Sequence, residues 1–311
     1  MEMIPTRDGF GKGLVELGRE RDDIVVVSAD LEDATRAEYF KKEFPDRFFS
    51  VGIAEQDMIG TAVGLSLEGY VAFTNSFAVF LTNRAYDMIR IDVCQNNANV
   101  KLVCSHGGIT VGEDGATAQC LEDFAIMRVL PNMKVICPAD SIEAKKITKL
   151  IAQDYGPFYV RTSRAALPVL SKEDDELVIG KANILRPGKD VSLIACGVMV
   201  SEALQAAEIL EKQGIDARVV NMHTIKPIDQ EAIIACAKET GAIVTAEEHQ
   251  ITGGLGSAVA EVLVQNTPVP MEMVGIKDTY GETGDPEGLL RKYHLKDVDI
   301  AAAAKKVMKR K

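Results

Sequence analysis

VKLVCSHGGITVGEDG, residues 100–115, opens as a mostly apolar, β-branched run interrupted only by Lys101 and Ser105 and ends in a histidine and a glycine-rich acidic turn. Its first part, 100–106, does not alternate between apolar and polar residues, as a strand with one wet face would. The same kind of run recurs at 24–30 (IVVVSAD), 70–75 (YVAFTN), 133–138 (MKVICP) and 157–162 (PFYVRT), with helix-length segments between. Such strands are buried on both faces, which is the pattern of a parallel sheet covered by helices, and the class is α/β. Helices are expected over 55–68, after a glycine-containing turn, and over 76–94. In the latter, Phe77, Phe80, Leu81, Ala85 and Met88 recur at three- and four-residue spacings.

Outward from that core, residues 1–165 form one domain. Residues 166–182 read as a linker, because the stretch around Pro168 and the acidic cluster that follows has no strong periodicity. The pattern restarts at 191–196 (VSLIAC), 216–222 (DARVVNM) and 241–248 (GAIVTAEE), with helices near 200–213, after Asp229, and at 286–291 and 297–309. Residues 183–311 are thus a second, smaller α/β domain. A chain of 311 residues is long enough for two cores.

Hydrophobic residues make up 47% and charged residues 26%, the composition of a folded globular chain. The 35 basic and 46 acidic residues leave a net charge of −11, which repels a phosphate backbone and argues against nucleic acid. No run of about 18 apolar residues is found and MEMIPTRDGF does not have the form of a secretory leader, so no membrane partner is expected. The six cysteines lie apart, mostly in apolar runs, and read as reduced core thiols of a cytoplasmic protein.

Three segments carry the residue types of chemistry, and each has an ordinary reading. Glu55 opens a helix of small residues, where a surface carboxylate favoured by the helix dipole is also expected. Phe77 and Phe80 are three apart and share a helix face, as plain core aromatics also do. His106 and Asp114 flank a glycine-rich turn, where a buried, hydrogen-bonded histidine beside a surface turn is the plain alternative. GGLGS, 253–257, opens a helix and reads either as an anion site on exposed amides or as packing.

In order along the chain, Gly52 to Met58 (GIAEQDM), Ser76 to Phe80 (SFAVF) and His106 to Gly115 resemble the pyrimidine-binding domain of the transketolase family of thiamine-diphosphate enzymes. SADL at Ser28 to Leu31 and SRAALP at Ser163 to Pro168 match too, and NMHTIKPID, TAEEHQITGGLGSAVAEVL and GIKDTYGETGDPEGLL are similar to the family's C-terminal domain. The resemblance covers essentially the whole chain. It implies that Glu55 hydrogen-bonds N1′ of the cofactor's aminopyrimidine, so that the ring's 4′ nitrogen can take the thiazolium C2 proton. Phe77 and Phe80 would give that carboxyl an apolar surrounding and stack on the pyrimidine, and Asp30 would lie near the thiazolium. His106 and Asp114 would contact substrate hydroxyls, and Arg164 the terminal phosphate of a sugar phosphate. Two positions depart from the family: Ala118 stands where a second histidine is common, and Ala34 falls near a phosphate-contacting serine.

The family binds Mg²⁺ and the diphosphate through a G-D-G motif followed by Asn-Asn; no G-D-G occurs here. The resemblance therefore implies the C-terminal subunit of a split transketolase, made as its own gene product, with no metal ligand of its own. It would transfer a two-carbon ketol unit only when joined to an N-terminal subunit that holds Mg²⁺ and the diphosphate, in an α2β2 heterotetramer. The rival readings are a 1-deoxyxylulose-5-phosphate synthase-like enzyme, a 2-oxo acid dehydrogenase β subunit, a transketolase for an unusual sugar or anion, and a non-catalytic scaffold.

Overall fold

The computed structural model describes residues 2–311 and is an α/β chain built on two sheets. The first sheet takes the apolar runs in the order Phe48–Ser50, Ile24–Ser28, Val71–Phe77, Val100–Ser105, Phe158–Arg161, Lys134–Ile136, all parallel. Every residue of Ile24–Ser28 and of Val100–Ser105 is buried. Each fully buried Val or Ile there contributes about 1.5–3 kcal/mol. The second sheet has the order Met271–Ile276, Ile243–Gln250, Val191–Ala195, Ala217–Asn221, Asn183–Arg186, with only the last strand antiparallel.

Helices cover both faces of the first sheet. The helix Thr6–Glu20 lies so close to Ser141–Gln153 that a Cβ on Gly9 would overlap the Ser141 carbonyl, and one on Gly13 would press the Lys145 carbonyl. Asp140 caps the second of these helices by accepting from the Glu143 amide at 2.8 Å, and its other oxygen accepts from the amides of Leu170 and Ser171. The connection between domains is thereby tied down at its middle. At its start, Ala166–Pro168 pairs antiparallel with Met3–Pro5 as a two-stranded ribbon. No helix among the described residues is long and apolar enough to cross a membrane.

The structure corrects two expectations. The single helix over 76–94 is replaced by a strand that runs on to Phe77, a helix Ala78–Arg84, a break at Ala85 and a π-helical turn Ile89–Gln95. The strand outlasts the periodic pattern because Ser76 and Phe77 still pair with Cys104 and Ser105. Secondly, Thr224–Lys226 leaves the second domain and adds antiparallel to Lys134–Ile136 at the edge of the first sheet. A single apolar cluster accordingly runs through both domains, from Val135 and Cys137 to Cys196, Met222 and Ile225.

The two domains also share a buried ionic network. Arg161, at the end of the first sheet, donates to Asp123 at 3.1 Å and to the Glu248 carbonyl at 2.9 Å. It stands 3.2 Å from the Glu248 carboxylate and lies over the Phe124 ring. Tyr159 donates to the other Asp123 oxygen at 2.6 Å. Arg161→Met would leave two carboxylates buried without their cation, a change that costs on the order of 3–5 kcal/mol. We expect a clear fall in the urea midpoint for Arg161→Met, and no measurable change for Arg19→Met, whose ion pair with Glu43 lies on the surface.

Candidate functional site

In a parallel sheet every strand ends at the same edge, and in open α/β folds that edge carries the ligand. Each residue singled out from the sequence follows a strand of the first sheet on that side. Asp30 follows Ile24–Ser28, Glu55 follows Phe48–Ser50, Phe77 ends Val71–Phe77, His106 follows Val100–Ser105, and Arg164 follows Phe158–Arg161.

Glu55 opens the helix Glu55–Leu67 and is 6% exposed, so it is not the surface carboxylate of the ordinary reading. Its carboxylate accepts from Arg84 Nη1 at 2.7 Å. The Arg84 guanidinium in turn lies 4.3 Å over the Phe80 ring. Phe80 stacks with Phe77 at 5.5 Å between centroids, and Phe77 stacks on the His106 imidazole at 3.7 Å. Glu55, Arg84, Phe80, Phe77 and His106 thus form one continuous chain of contacts. Two details differ from expectation. Phe77 and Phe80 meet across a strand-to-helix corner and not along one helix face, and an arginine, not the aromatic rings alone, surrounds the carboxylate. Arg84 was missed, although it lies four residues after Phe80 and so on the same face of the helix.

His106 is 2% exposed, in the left-handed region at φ 61°, with Nδ1 2.9 Å from the Ser105 hydroxyl. Burial, and after it the positive charges of Arg7, Arg164 and Arg36, hold its imidazole down at about 3, so it is neutral at physiological pH. Arg164 donates from Nη1 to the Val111 carbonyl at 2.8 Å and to Glu113 at 2.6 Å. The Arg164 hydrogen bond lowers the Glu113 carboxyl. Asp114 ends the same 3₁₀ turn, Ile109–Asp114, and stands exposed on the rim. Asp30 is likewise exposed, at φ 62° just past its strand.

Arg7 is a second residue that the sequence reading missed. Thr6 and Ser163 clasp each other reciprocally, the Ser163 amide donating to Thr6 Oγ1 at 2.6 Å and the Thr6 amide to Ser163 Oγ at 3.3 Å. This clasp sets Arg7 near Arg164 in space, although 157 positions separate the two in sequence. Arg7 Nη1 donates to the Ala34 carbonyl at 2.8 Å, and its buried Nε has no partner among the described residues. Ala34 therefore offers this site a backbone oxygen where the family pattern has a hydroxyl. Ala118 is buried below the turn.

The second domain holds the His106–Gly115 turn from behind. Glu248 accepts from the Thr110 amide at 3.1 Å and from its hydroxyl at 3.2 Å. Gln119 bridges the carbonyls of Ile109 and Glu282. A Cβ on Gly108, at φ 87°, would run into both Arg161 and Glu248, which explains the paired glycines after His106. Glu247 also settles GGLGS: it accepts from the amides of Leu255 at 2.7 Å and Gly256 at 2.8 Å, so the helix start is filled from within and is structural. Among the described residues no group of three or more His, Cys, Asp or Glu could hold a metal ion, and all six cysteines are buried and free.

Residues 2–169 match the transketolase pyrimidine-binding domain, and residues 180–300 match the transketolase C-terminal domain. A putative transketolase C-terminal section of Methanocaldococcus jannaschii is 45% identical, covering 98% of this chain and 96% of its own length. The 6-deoxy-6-sulfo-D-fructose transketolase subunit SqwH of a Clostridium species is 43% identical over 98% of this chain and 95% of its own. A split-gene transketolase solved as an inactive β4 tetramer superposes with a TM-score of 0.93 at 47% identity, covering 99% of both chains. With both domains matched in order and full-length relatives above 40% identity, the chain belongs to the transketolase family.

Proposed function

We propose that this chain is the C-terminal subunit of a split, thiamine-diphosphate-dependent transketolase that moves a two-carbon ketol unit from a ketose phosphate to an aldose acceptor. The observation that carries the reading is the contact chain from buried Glu55 through Phe80 and Phe77 to His106, ending beside a cluster of arginines. One end suits an aromatic nitrogen heterocycle and the other an anion.

The residues fit the pyrimidine end of the cofactor. Glu55 has one carboxylate oxygen committed to Arg84 and the other without a donor among the described residues, and Arg84 is half exposed and able to withdraw. When bound, thiamine diphosphate supplies the carbon nucleophile that carries the ketol unit. Glu55 would hold the proton at N1′ of the ring, and Phe80 with Phe77 would cover the ring and exclude water. Neutral His106 can both donate and accept, as contacts to sugar hydroxyls require. Asp114 on the rim would accept from a further hydroxyl, and Asp30 would face the thiazolium. Arg164 and Arg7 would grip the terminal anion, which turns binding energy into orientation.

The diphosphate and Mg²⁺ are assigned to an N-terminal subunit, with two copies of each chain in the assembly. The outer face of the Glu55 helix supports this: Ile53 and Leu67 are 75% and 77% exposed, and no described atom comes within 4 Å of a Cβ built on Gly60 or Gly64. Gln56 and Asp57 are exposed on the first turn, and so open a face, flanked by exposed Ile53 and Leu67, suits a second protein surface. The β-only tetramer of the 47%-identical relative is described as inactive, which agrees with a chain that needs its partner. The relative named for a sulfo-sugar supports a second reading, that the terminal anion is not a phosphate, since Ala34 and Ala118 alter only the substrate end.

Ketol transfer from xylulose 5-phosphate to ribose 5-phosphate should appear only when this chain is combined with an N-terminal transketolase subunit, Mg²⁺ and thiamine diphosphate. Glu55→Ala should lower kcat by about 10²–10⁴-fold with the assembly intact. Cofactor binding without turnover of these sugars would move the substrate, and no cofactor binding would leave a scaffold.

The imidazole of His106 lies below its ordinary value, so the unfolded chain takes up that proton first and stability falls as pH drops from about 6.5 towards about 3. The His106 ring signal in NMR should therefore stay flat from neutral to mildly acidic pH. A midpoint at the ordinary histidine value would show the ring to be wet and would remove it from the buried role.

A further inference from the structure

Arg36 belongs to no motif of the chemistry above, yet it stands in the arginine cluster. It follows the short helix Glu32–Thr35 in the left-handed conformation, φ 70° and ψ 9°, which is uncommon for a long side chain. Its backbone is pressed onto the first helix, where a Cβ on Gly11 would overlap the Arg36 carbonyl. With the backbone so fixed, only the side chain is left to move. Nε donates to Asp8 at 2.7 Å and Nη1 to the Asp33 carbonyl at 2.9 Å, which leaves part of the guanidinium fork unused. The pair is about a quarter exposed on both sides.

Around it, positive charge is crowded. Arg7, Arg36 and Arg164 are close enough that the latter two lower the guanidinium of Arg7, after its burial, and all three lower His106. Asp8 pairs with Arg36 and also acts on Arg7, and Glu113 pairs with Arg164; Arg7 itself donates to the Ala34 carbonyl, and its buried Nε has no partner among the described residues. In a chain of net charge −11, three cations meeting at one point with so little neutralisation is a local inversion of sign.

We propose that Arg36 is a third ligand for the substrate's terminal anion and that Asp8 is its stand-in, holding the guanidinium while the site is open and yielding it when a phosphate- or sulfonate-type group arrives. The Arg36–Asp8 pair then sets selectivity for the charge of that group. Arg36 does with a guanidinium what the missing hydroxyl at Ala34 does not, and Asp8 competes with the ligand as an internal anion. This inference rests on the reading of Arg7 and Arg164 as the anion end of the site.

The test is calorimetric titration of the full-length chain with inorganic phosphate at mildly alkaline pH, in wild type and in Arg36→Met, Asp8→Asn, Arg7→Met and Arg164→Met. Arg36→Met should weaken phosphate about tenfold, and Asp8→Asn should strengthen it by about three- to tenfold, because it removes the competitor. The opposite signs matter, since a merely structural pair would weaken binding from either side. If both substitutions weaken binding, or if Arg36→Met leaves it unchanged while Arg7→Met and Arg164→Met reduce it, the role of Arg36 falls and the anion site stands. If no arginine substitution matters, the anion site falls as well. Should Arg36→Met not fold, Asp8→Asn alone decides, because loss of structure does not tighten a ligand.

Discussion

Arg161 is the point at which the two domains and the site become one object. Three charges, Arg161, Asp123 and Glu248, are buried together, and none is tolerable without the others. Because Arg161 ends a strand of the first sheet and Glu248 lies in a strand of the second, the network holds the sheets at a fixed relation. The Glu248 carboxylate also grips Thr110, so the turn that follows His106 is shaped by a residue nearly 140 positions away. The paired glycines Gly107 and Gly108 are the backbone's answer, since a side chain at either would collide with Arg161. Positioning of the His106–Gly115 turn is therefore a property of both domains.

The parallel sheet of the first domain and its strand segments were legible because the strands are buried on both faces and show it as unalternating apolar runs, whereas their order in the sheet was not. Placement of Glu55, Phe77, His106 and Arg164 on one edge follows from the same fact, as each comes just after a strand. What was not legible depends on contacts between distant segments. Thr224–Lys226 has only three residues and joins the first sheet by edge pairing, which leaves no periodic trace. Arg7 is brought in by the Thr6–Ser163 clasp, and nothing local to 5–10 announces it. Arg84 differs: its spacing from Phe80 was readable, and only its tie to Glu55 was not. The corner at Phe77 was misread because helical periodicity begins before the strand has ended.

The electrostatics divide the site into halves with different tasks. At the Glu55 half a single carboxylate is neutralised by one half-exposed arginine, an arrangement that is easily opened. At the other half three arginines face a histidine that burial and their own charge keep neutral. The stack of Phe77 on His106 is the seam between these halves. A cation at His106 would be buried and would add to the arginine repulsion, so burial and charge both keep the ring neutral.

Ile53 is exposed just before the helix that buries Glu55 at its first turn, and Gly60, Gly64 and Leu67 are exposed along that helix. Burial of a carboxylate is costly unless its oxygens find partners; here one oxygen of Glu55 accepts from Arg84 and the other stays open to solvent. An open helix face thus lies near a carboxylate oxygen that water satisfies and that a ligand's donor could take over. The proposed partner subunit accounts for both features, as it would cover the bare helix face and bring a donor to the open Glu55 oxygen.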